Sequence, residues 1–206
     1  MKKLISGIAI ILTAIIYFMN KKQKHYDNNI IKKNGAYYCN NHIIVNKDYK
    51  VSPFYTPFPK LEALNALKLM INDADKQGFQ LTIISGFRSY LKQMRLFKMY
   101  VQRDGLKKAQ LYSAKPGFSE HQTGLAFDVA TRGLQESAKE LFQYTEESKW
   151  LKDNAHSYGF IIRYPEGKAH ITQFMYEPWH LRYLGKKDAK EIKNSNLTLE
   201  EYFHLV

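Results

Sequence analysis

The sequence has little cysteine and few acidic residues. Cys39 is the single cysteine among 206 residues, which excludes an intrachain disulfide and leaves the redox compartment open. Nineteen acidic side chains stand against 31 lysines and arginines, a net charge of +12, which suits an anionic neighbour such as nucleic acid, phospholipid or an acidic wall polymer. The lysines are spread along the chain rather than gathered in one arm, and this distribution argues against nucleic-acid binding.

The chain also lacks the regular alternation of strands and helices that is typical of parallel α/β folds, and it contains no internal repeat. Hydrophobic residues make up 45% of it and include 12 Phe and 15 Tyr, which indicates a packed domain rather than a disordered chain. Amphipathic helices and short strands follow one another irregularly. We therefore predict an α+β fold with a small, mostly antiparallel sheet flanked by helices.

The N-terminus carries sixteen uncharged, mostly apolar residues, Leu4 to Met19, between two pairs of lysines. As a helix this stretch would span roughly 24 Å, slightly less than the hydrocarbon core of a bilayer. No small-residue pair closes the apolar run, so the pattern favours a retained anchor over a cleaved signal peptide. We predict a membrane anchor or signal segment at residues 1–20, a polar tether at 21–42 and a catalytic domain at 43–206.

Local signals predict several helix boundaries within that domain. A helix that begins near Leu61 carries its apolar residues on one face, and Gly78 suits its C-terminal end. A second amphipathic helix is expected to turn four side chains inward: Met94, Phe97, Tyr100 and Val101. Near the end of the chain, Thr198 and Glu201 have the spacing of a capping box.

The segment "SEHQTGLAFD" places a histidine and an acid seven residues apart. Its alternation predicts a strand in which Asp128 projects from a face of small residues, Ala126 and Ala130. Gly124 lets the backbone bend so that the imidazole of His121 folds back over this face. A buried carboxylate needs a cation or hydrogen-bond donors, and imidazole and carboxylate are ordinary zinc ligands. The segment therefore predicts two ligands of a zinc ion.

The segment "EPWH" supplies a second acid and a second histidine. Three protein ligands and one open position are typical of a catalytic zinc, so His180 is the natural third ligand. If the chain turns at Pro178, Glu177 points into the same cavity, where it would act as general base. A histidine taken alone is more often a surface or core residue. We interpret the remaining five in that way: His25, His42, His156, His170 and His204.

Arg88 follows a predicted strand and Gly86, at a strand-to-helix junction where side chains often face a cleft. A guanidinium fixed there would stabilise a developing oxyanion or bind a terminal carboxylate with two hydrogen bonds. The alternative is a surface arginine paired with a nearby acid.

Three motifs, "SGFRSY", "SEHQTGLAFDVA" and "YEPWHLRYLG", resemble the signatures of the VanY-type zinc D-alanyl-D-alanine carboxypeptidases. This group shares its fold with VanX-type dipeptidases and with the zinc-binding domain of hedgehog proteins. The likeness runs from about Val45 to Tyr202. It implies one zinc ion per chain with the ligands His121, Asp128 and His180, the catalytic base Glu177, and Arg88 as support for the substrate carbonyl or the oxyanion.

The resemblance further implies that four residues line the peptide cleft: Gln93, Ser113, Ser119 and Trp179. The sequence also departs from the family pattern. Gln173 stands where relatives usually have a glycine, and this difference bears on the rim of the cleft rather than on a metal ligand.

The resemblance implies a membrane-tethered enzyme that removes the terminal D-Ala from peptidoglycan stem peptides outside the cell. D,D-cleavage of pentapeptide stems is the favoured activity, and L,D-cleavage of tetrapeptide stems is the alternative. The predicted anchor argues against a D-Ala-D-Ala dipeptidase, whose substrate is cytoplasmic. A catalytically silent wall-binding module is a further alternative, and Glu177 argues against it because mere binding needs no base.

Overall fold

A computed structural model of the protein describes residues 30–57 and 60–206. The anchor predicted at residues 1–20 and the beginning of the predicted tether, residues 21–29, lie outside the described residues. None of the helices within the described ranges has the length and apolar character that a bilayer crossing requires.

The described residues form seven strands and seven α-helices, joined by three short 3₁₀ helices. The strands are β1 (Ile31–Lys33), β2 (Ala36–Cys39), β3 (His42–Ile44), β4 (Leu81–Ser85), β5 (Ala126–Thr131), β6 (Phe160–Tyr164) and β7 (Glu177–Tyr183). The α-helices are α1 (Leu61–Lys76), α2 (Tyr90–Asp104), α3 (Leu106–Tyr112), α4 (Glu146–Asn154), α5 (Ala169–Thr172), α6 (Lys186–Ser195) and α7 (Leu199–Tyr202). The 3₁₀ helices are Glu120–Thr123, Glu136–Tyr144 and Ala155–Tyr158.

The strands form two sheets. One contains β1, β2 and β3, and the other has the strand order β4-β5-β7-β6. Every paired strand in these two sheets is antiparallel to its neighbour. The predicted α+β class, with antiparallel strands flanked by helices, is confirmed.

The three-stranded sheet occupies residues that we expected to belong to the polar tether, since β1 and β2 lie before residue 43. Three of the asparagines that made this segment look like a linker, Asn34, Asn40 and Asn41, are in its hairpin turns and have positive φ. Asparagine tolerates that conformation better than most residues. The apolar side chains between the turns, Ala36 and Cys39, are buried. The ordered fold therefore begins earlier than the sequence composition suggested.

The main hydrophobic cluster lies between the four-stranded sheet and helices α1 and α4. Its fully buried members include Leu67 and Met70 of α1, Val129 of β5 and Leu151 of α4. A second cluster packs α6 and α7 against the outer strand β6. The four-stranded sheet is thus held rigidly from both sides, which fixes the positions of the side chains at its cleft edge.

Most of the predicted helix signals appear in the structure. Helix α1 ends at Lys76, and Gly78 follows with φ of +87°. The capping box of Thr198 and Glu201 is present at the start of α7. Met94 is the exception, since it is 43% exposed. Helix α2 instead buries Gln93 and lines the cleft with Gln93, Leu96 and Tyr100.

Candidate metal centre and active-site cleft

His121, Asp128 and His180 converge at the bottom of a cleft, and one ligand atom from each lies within 4.8 Å of the other two. Asp128 Oδ1 is 3.4 Å from His121 Nε2 and 3.0 Å from His180 Nδ1. All three residues are buried. The structure thus brings together the three side chains that we predicted as ligands from the sequence.

Sheet register and one tight turn create this arrangement. Asp128 and His180 are direct partners across β5 and β7. His121 precedes β5 in the 3₁₀ helix Glu120–Thr123, and Gly124, with a φ of +70°, reverses the chain directly after it. The Nδ1 atom of His121 lies 2.8 Å from the carbonyl oxygen of Gly86, so Nε2 is the ring nitrogen that faces Asp128.

The electrostatics of this group suit a divalent cation. Burial lowers the pKa of His121 and outweighs the opposing effect of Asp128. Burial alone would raise the pKa of Asp128, but His121 and His180 hold it well below its usual range. A neutral imidazole and an ionised carboxylate are the forms that bind a metal. Burial lowers the pKa of His180, but its contacts with Asp128 and Glu120 raise it to about 9 overall, so a metal would have to displace a proton from this ligand. The donor types, spacing and burial therefore fit a zinc ion.

Glu177 enters the same cleft because β7 bulges. In the pairing of β6 with β7, Ile162 opposes Leu181 and Tyr164 opposes Glu177, so one residue of β6 faces three residues of β7. Residues three apart on a regular strand point to opposite faces, and the bulge removes that constraint. Glu177 Oε2 consequently lies 3.9 Å from His180 Nδ1.

Glu177 has the protonation properties of a general base. Burial raises its pKa to about 7, against the opposing effects of His180 and Lys139. A carboxyl group with a pKa near neutrality both accepts and returns a proton efficiently. A surface glutamate would lack this property.

Arg88 is held at the edge of the metal centre and is only 8% exposed, so it is not the surface arginine of the alternative interpretation. Its Nη1 donates to Gln93 Oε1 at 2.8 Å, and its Nη2 donates to Ser85 Oγ at 2.9 Å. Nη2 is also 3.9 Å from Asp128 Oδ2. These contacts fix the guanidinium plane beside the metal ligands.

Three of the four predicted substrate-binding residues, Gln93, Ser113 and Ser119, line the cleft. Gln93 Nε2 donates to the carbonyl oxygen of Ala114 at 2.6 Å. This hydrogen bond joins α2 to the loop after α3 and keeps the amide oxygen of Gln93 directed at Arg88.

The fourth, Trp179, belongs to the main hydrophobic cluster rather than to the cleft wall. It precedes His180 on β7, and adjacent residues of a strand project to opposite faces. It contacts the cleft-lining residue Lys139, whose Nζ lies 4.9 Å from the centre of the indole ring.

The sequence reasoning missed part of the cleft wall. The missed residues are Leu96, Tyr100, Tyr112, Ala114, Glu120, Lys139, Tyr164 and Phe174. They come from separate segments that carry no shared motif, and only Glu120 had a signal, its place directly before His121. Four of the histidines interpreted as surface or core residues do not line this cleft: His42, His156, His170 and His204. The fifth, His25, lies outside the described residues.

Comparison with known proteins assigns the chain to a family. The model of the VanY family, described as D-alanyl-D-alanine carboxypeptidase, matches residues 59–186. The chain belongs to the VanY family. YodJ of Bacillus subtilis (strain 168) is 42% identical to it, over 89% of this chain and 76% of that protein. The resemblance inferred from the sequence motifs is confirmed.

Solved structures of VanY-type enzymes have the same fold. The L,D-carboxypeptidase DacB of Streptococcus pneumoniae is 40% identical, with a TM-score of 0.74 over 85% of this chain and 95% of that chain. The vancomycin-resistance D,D-pentapeptidase VanY, in complex with Zn(II), is 30% identical, with a TM-score of 0.68 over 78% of this chain and 97% of that chain. The zinc prediction is confirmed at the level of the family, and His121, Asp128 and His180 form a group that could hold the ion here.

Proposed function

We propose that the protein is a zinc-dependent carboxypeptidase that removes the terminal D-Ala from peptidoglycan stem peptides, with tetrapeptide stems as its preferred substrate. One observation carries the proposal: His121, Asp128 and His180 converge beside Glu177 in a single cleft. A zinc ion held by the three ligands would polarise the substrate carbonyl and lower the pKa of a water molecule. The remaining chemistry is supplied by the side chains of the cleft.

Glu177 carries the proton. Its carboxylate accepts a proton from the attacking water and returns it to the amine of the departing D-Ala. Its pKa of about 7 keeps the two transfers nearly balanced at neutral pH. The burial of the side chain excludes bulk water from competing for that proton.

Arg88 stabilises the negative charge that develops on the oxygen of the scissile carbonyl. A guanidinium has five N–H groups, and its contacts with Gln93 and Ser85 use one hydrogen on each terminal nitrogen. The others remain for the substrate. Because Arg88 is fixed before the peptide binds, little reorganisation is needed as the charge forms. Gln93, Ser113 and Ser119 hold the peptide along the cleft.

The preferred stem length is supported by two of the solved structures, although a D-alanyl-D-alanine carboxypeptidase of Enterococcus faecium is also 40% identical over 65% of this chain. The sequence alone favoured D,D-cleavage of pentapeptides, with L,D-cleavage as the alternative. DacB, an L,D-carboxypeptidase, is 40% identical to this chain, whereas the D,D-pentapeptidase VanY is 30% identical. The TM-scores follow the same order. We therefore put the tetrapeptide first and retain the pentapeptide as the second candidate.

The test uses defined stem peptides. Purified protein carrying one zinc ion per chain is incubated with a tetrapeptide and a pentapeptide, and the products are identified by mass. We expect release of D-Ala from the tetrapeptide, with a higher kcat/KM than for the pentapeptide. Faster cleavage of the pentapeptide would establish the D,D alternative. Binding of both peptides without cleavage would contradict the enzymatic function and favour a wall-binding module.

We also propose that the catalytic domain lies outside the cytoplasmic membrane and is retained there by residues 1–20. The apolar run between paired lysines and the location of the substrate support this placement. Proteolysis of intact protoplasts, combined with the mass of the mature N-terminus, tests it. We expect protease to remove the domain from intact cells, and a protected domain would contradict the proposal.

A further inference from the structure

Glu120 is a buried carboxylate next to the metal centre that the mechanism above does not use. It is 1% exposed, and its Oε2 lies 3.4 Å from His180 Nε2. The other ring nitrogen of His180, Nδ1, faces Asp128 Oδ1 at 3.0 Å. The imidazole of this ligand is therefore held between two carboxylates, one at each nitrogen.

The second oxygen of Glu120 is fixed by two arginines. Arg163 Nε and Arg182 Nη1 each donate to Oε1 at 2.8 Å, and both arginines are fully buried. A carboxylate that accepts from two guanidinium groups stays ionised and acts only as an acceptor. Its free oxygen, Oε2, is therefore placed to accept a hydrogen from the ring nitrogen that faces it.

We propose that Glu120 is a positioning residue for His180: it accepts the Nε2 hydrogen and so keeps Nδ1 as the nitrogen that binds zinc. The hydrogen-bond partner of one ring nitrogen determines which nitrogen coordinates a metal. This inference rests on the metal centre of the proposed function and adds the carboxylate that orients one of its ligands.

The contacts of the two arginines explain how Glu120 is held still. Arg163 also donates to both oxygens of Glu200 on α7, at 2.9 and 2.5 Å. Arg182 Nη2 donates to the carbonyl oxygen of Ile43 on β3, at 2.6 Å. Glu120 is thus linked through charged hydrogen bonds to α7 and to β3, and its rotation would break several of them.

The substitution Glu120→Gln tests the role with little change of shape. The amide can present its oxygen to Arg163 and Arg182 or to His180 Nε2, but it cannot serve both. We expect zinc to bind about 10- to 100-fold more weakly, as measured by competition with a chromogenic chelator. In zinc-loaded protein the His180 Nε2 proton is expected as a downfield resonance in the NMR spectrum, and the substitution should move it upfield.

Glu200→Gln is the matched control because it removes a buried charge from the same Arg163 without touching His180. We expect it to lower the melting temperature while zinc affinity and the His180 resonance stay as in the wild type. An equal loss of zinc affinity in both variants would overturn the proposal, as would unchanged affinity in a folded Glu120→Gln variant.

The wild-type protein provides a test that does not depend on the folding of a variant. Coordination of zinc through His180 Nε2 rather than Nδ1, read from nitrogen chemical shifts, would exclude the proposed role. Zinc affinity and these resonances are measured without peptide. A failure of the proposed peptidase activity would therefore leave this result intact, and the reverse also holds.

Discussion

Asp128 and His180 are direct partners across strands β5 and β7, with Oδ1 of the acid 3.0 Å from Nδ1 of the imidazole. Two of the three metal ligands are thus placed by the pairing of two central strands. A bound ion would join those strands to His121 in the preceding 3₁₀ helix. The metal centre and the centre of the four-stranded sheet are therefore one structural unit.

Metal removal is accordingly expected to affect both stability and activity. At a zinc concentration about a thousand times its dissociation constant, binding contributes about 4 kcal/mol, which corresponds to roughly 10 °C in melting temperature for a chain of this size. Calorimetry before and after treatment with a chelator measures the change, and peptide cleavage should return when zinc is added back. A melting temperature that does not respond to zinc would contradict the proposed site.

Substitution of the base should separate chemistry from metal binding. Glu177→Gln is expected to lower kcat by about 10²- to 10⁴-fold, because the amide cannot accept the proton of the attacking water. The zinc content should remain one ion per chain. Glu166→Gln, a change at an exposed acid, serves as the control and should leave kcat unchanged. Substantial hydrolysis by the Glu177 variant would rule out its role as base.

The raised pKa of Glu177 also predicts a pH-dependent stability in the zinc-free protein. Its pKa is about 7 in the fold and 4.5 in its ordinary state, so the folded form binds more protons than the unfolded form between these values. The ionised group therefore destabilises the fold increasingly as pH rises from 4.5 to 7, by about 3 kcal/mol in total. Zinc-free Glu177→Gln should exceed the wild type in melting temperature at pH 8, and the difference should shrink towards pH 5. A constant difference would argue against a strongly raised pKa.

Arg88→Lys tests the contribution of a fixed, planar donor. Lysine keeps the charge but loses the geometry that connects Arg88 to Gln93 and Ser85. We expect kcat to fall by about 10²-fold, with zinc affinity close to that of the wild type. Arg132→Lys is the control, since this arginine is exposed, pairs with Asp75 and does not line the cleft. If both variants lose activity equally, the effect is not specific to the cleft.

Gln173 should be a site where glycine stabilises the protein. It has a φ of +62° at the end of α5, and a residue with a Cβ in this left-handed conformation is strained by about 1 kcal/mol. Gln173→Gly is expected to raise the melting temperature by roughly 3 °C. Asn196, with a φ of 51° at the end of α6, provides the comparison, because asparagine tolerates this conformation. Asn196→Gly should therefore gain less.

The sequence could predict the ligand types because the chemistry of the site is concentrated in two short segments. A histidine, a left-handed glycine and an acid on a small-residue strand are local features, and local features can be inferred from spacing. The adjacency of β5 and β7 could not be inferred, because strand order is set by contacts between distant parts of the chain. For the same reason no role could be predicted for Glu120, since its partners Arg163 and Arg182 lie on β6 and β7, far from it in the sequence.

Other misjudgements had local causes. The asparagines of the first hairpins, Asn34, Asn40 and Asn41, suggested a flexible linker because composition does not distinguish turn residues from a tether. Trp179 was assigned to the cleft by family resemblance, but it projects from the face of β7 opposite to His180. Met94 was expected inside because its side chain is apolar, but helix α2 buries the polar Gln93 and leaves Met94 exposed.

The bulge in β7 restricts how this part of the chain can change over evolution. Between Glu177 and Leu181, the number of residues matters more than most of their identities, since a deletion or insertion of one position would turn the glutamate to the far side of the sheet. Lineages that retain hydrolysis should therefore differ here by replacement and not by length. Chimeras assembled from related domains should be joined outside this strand.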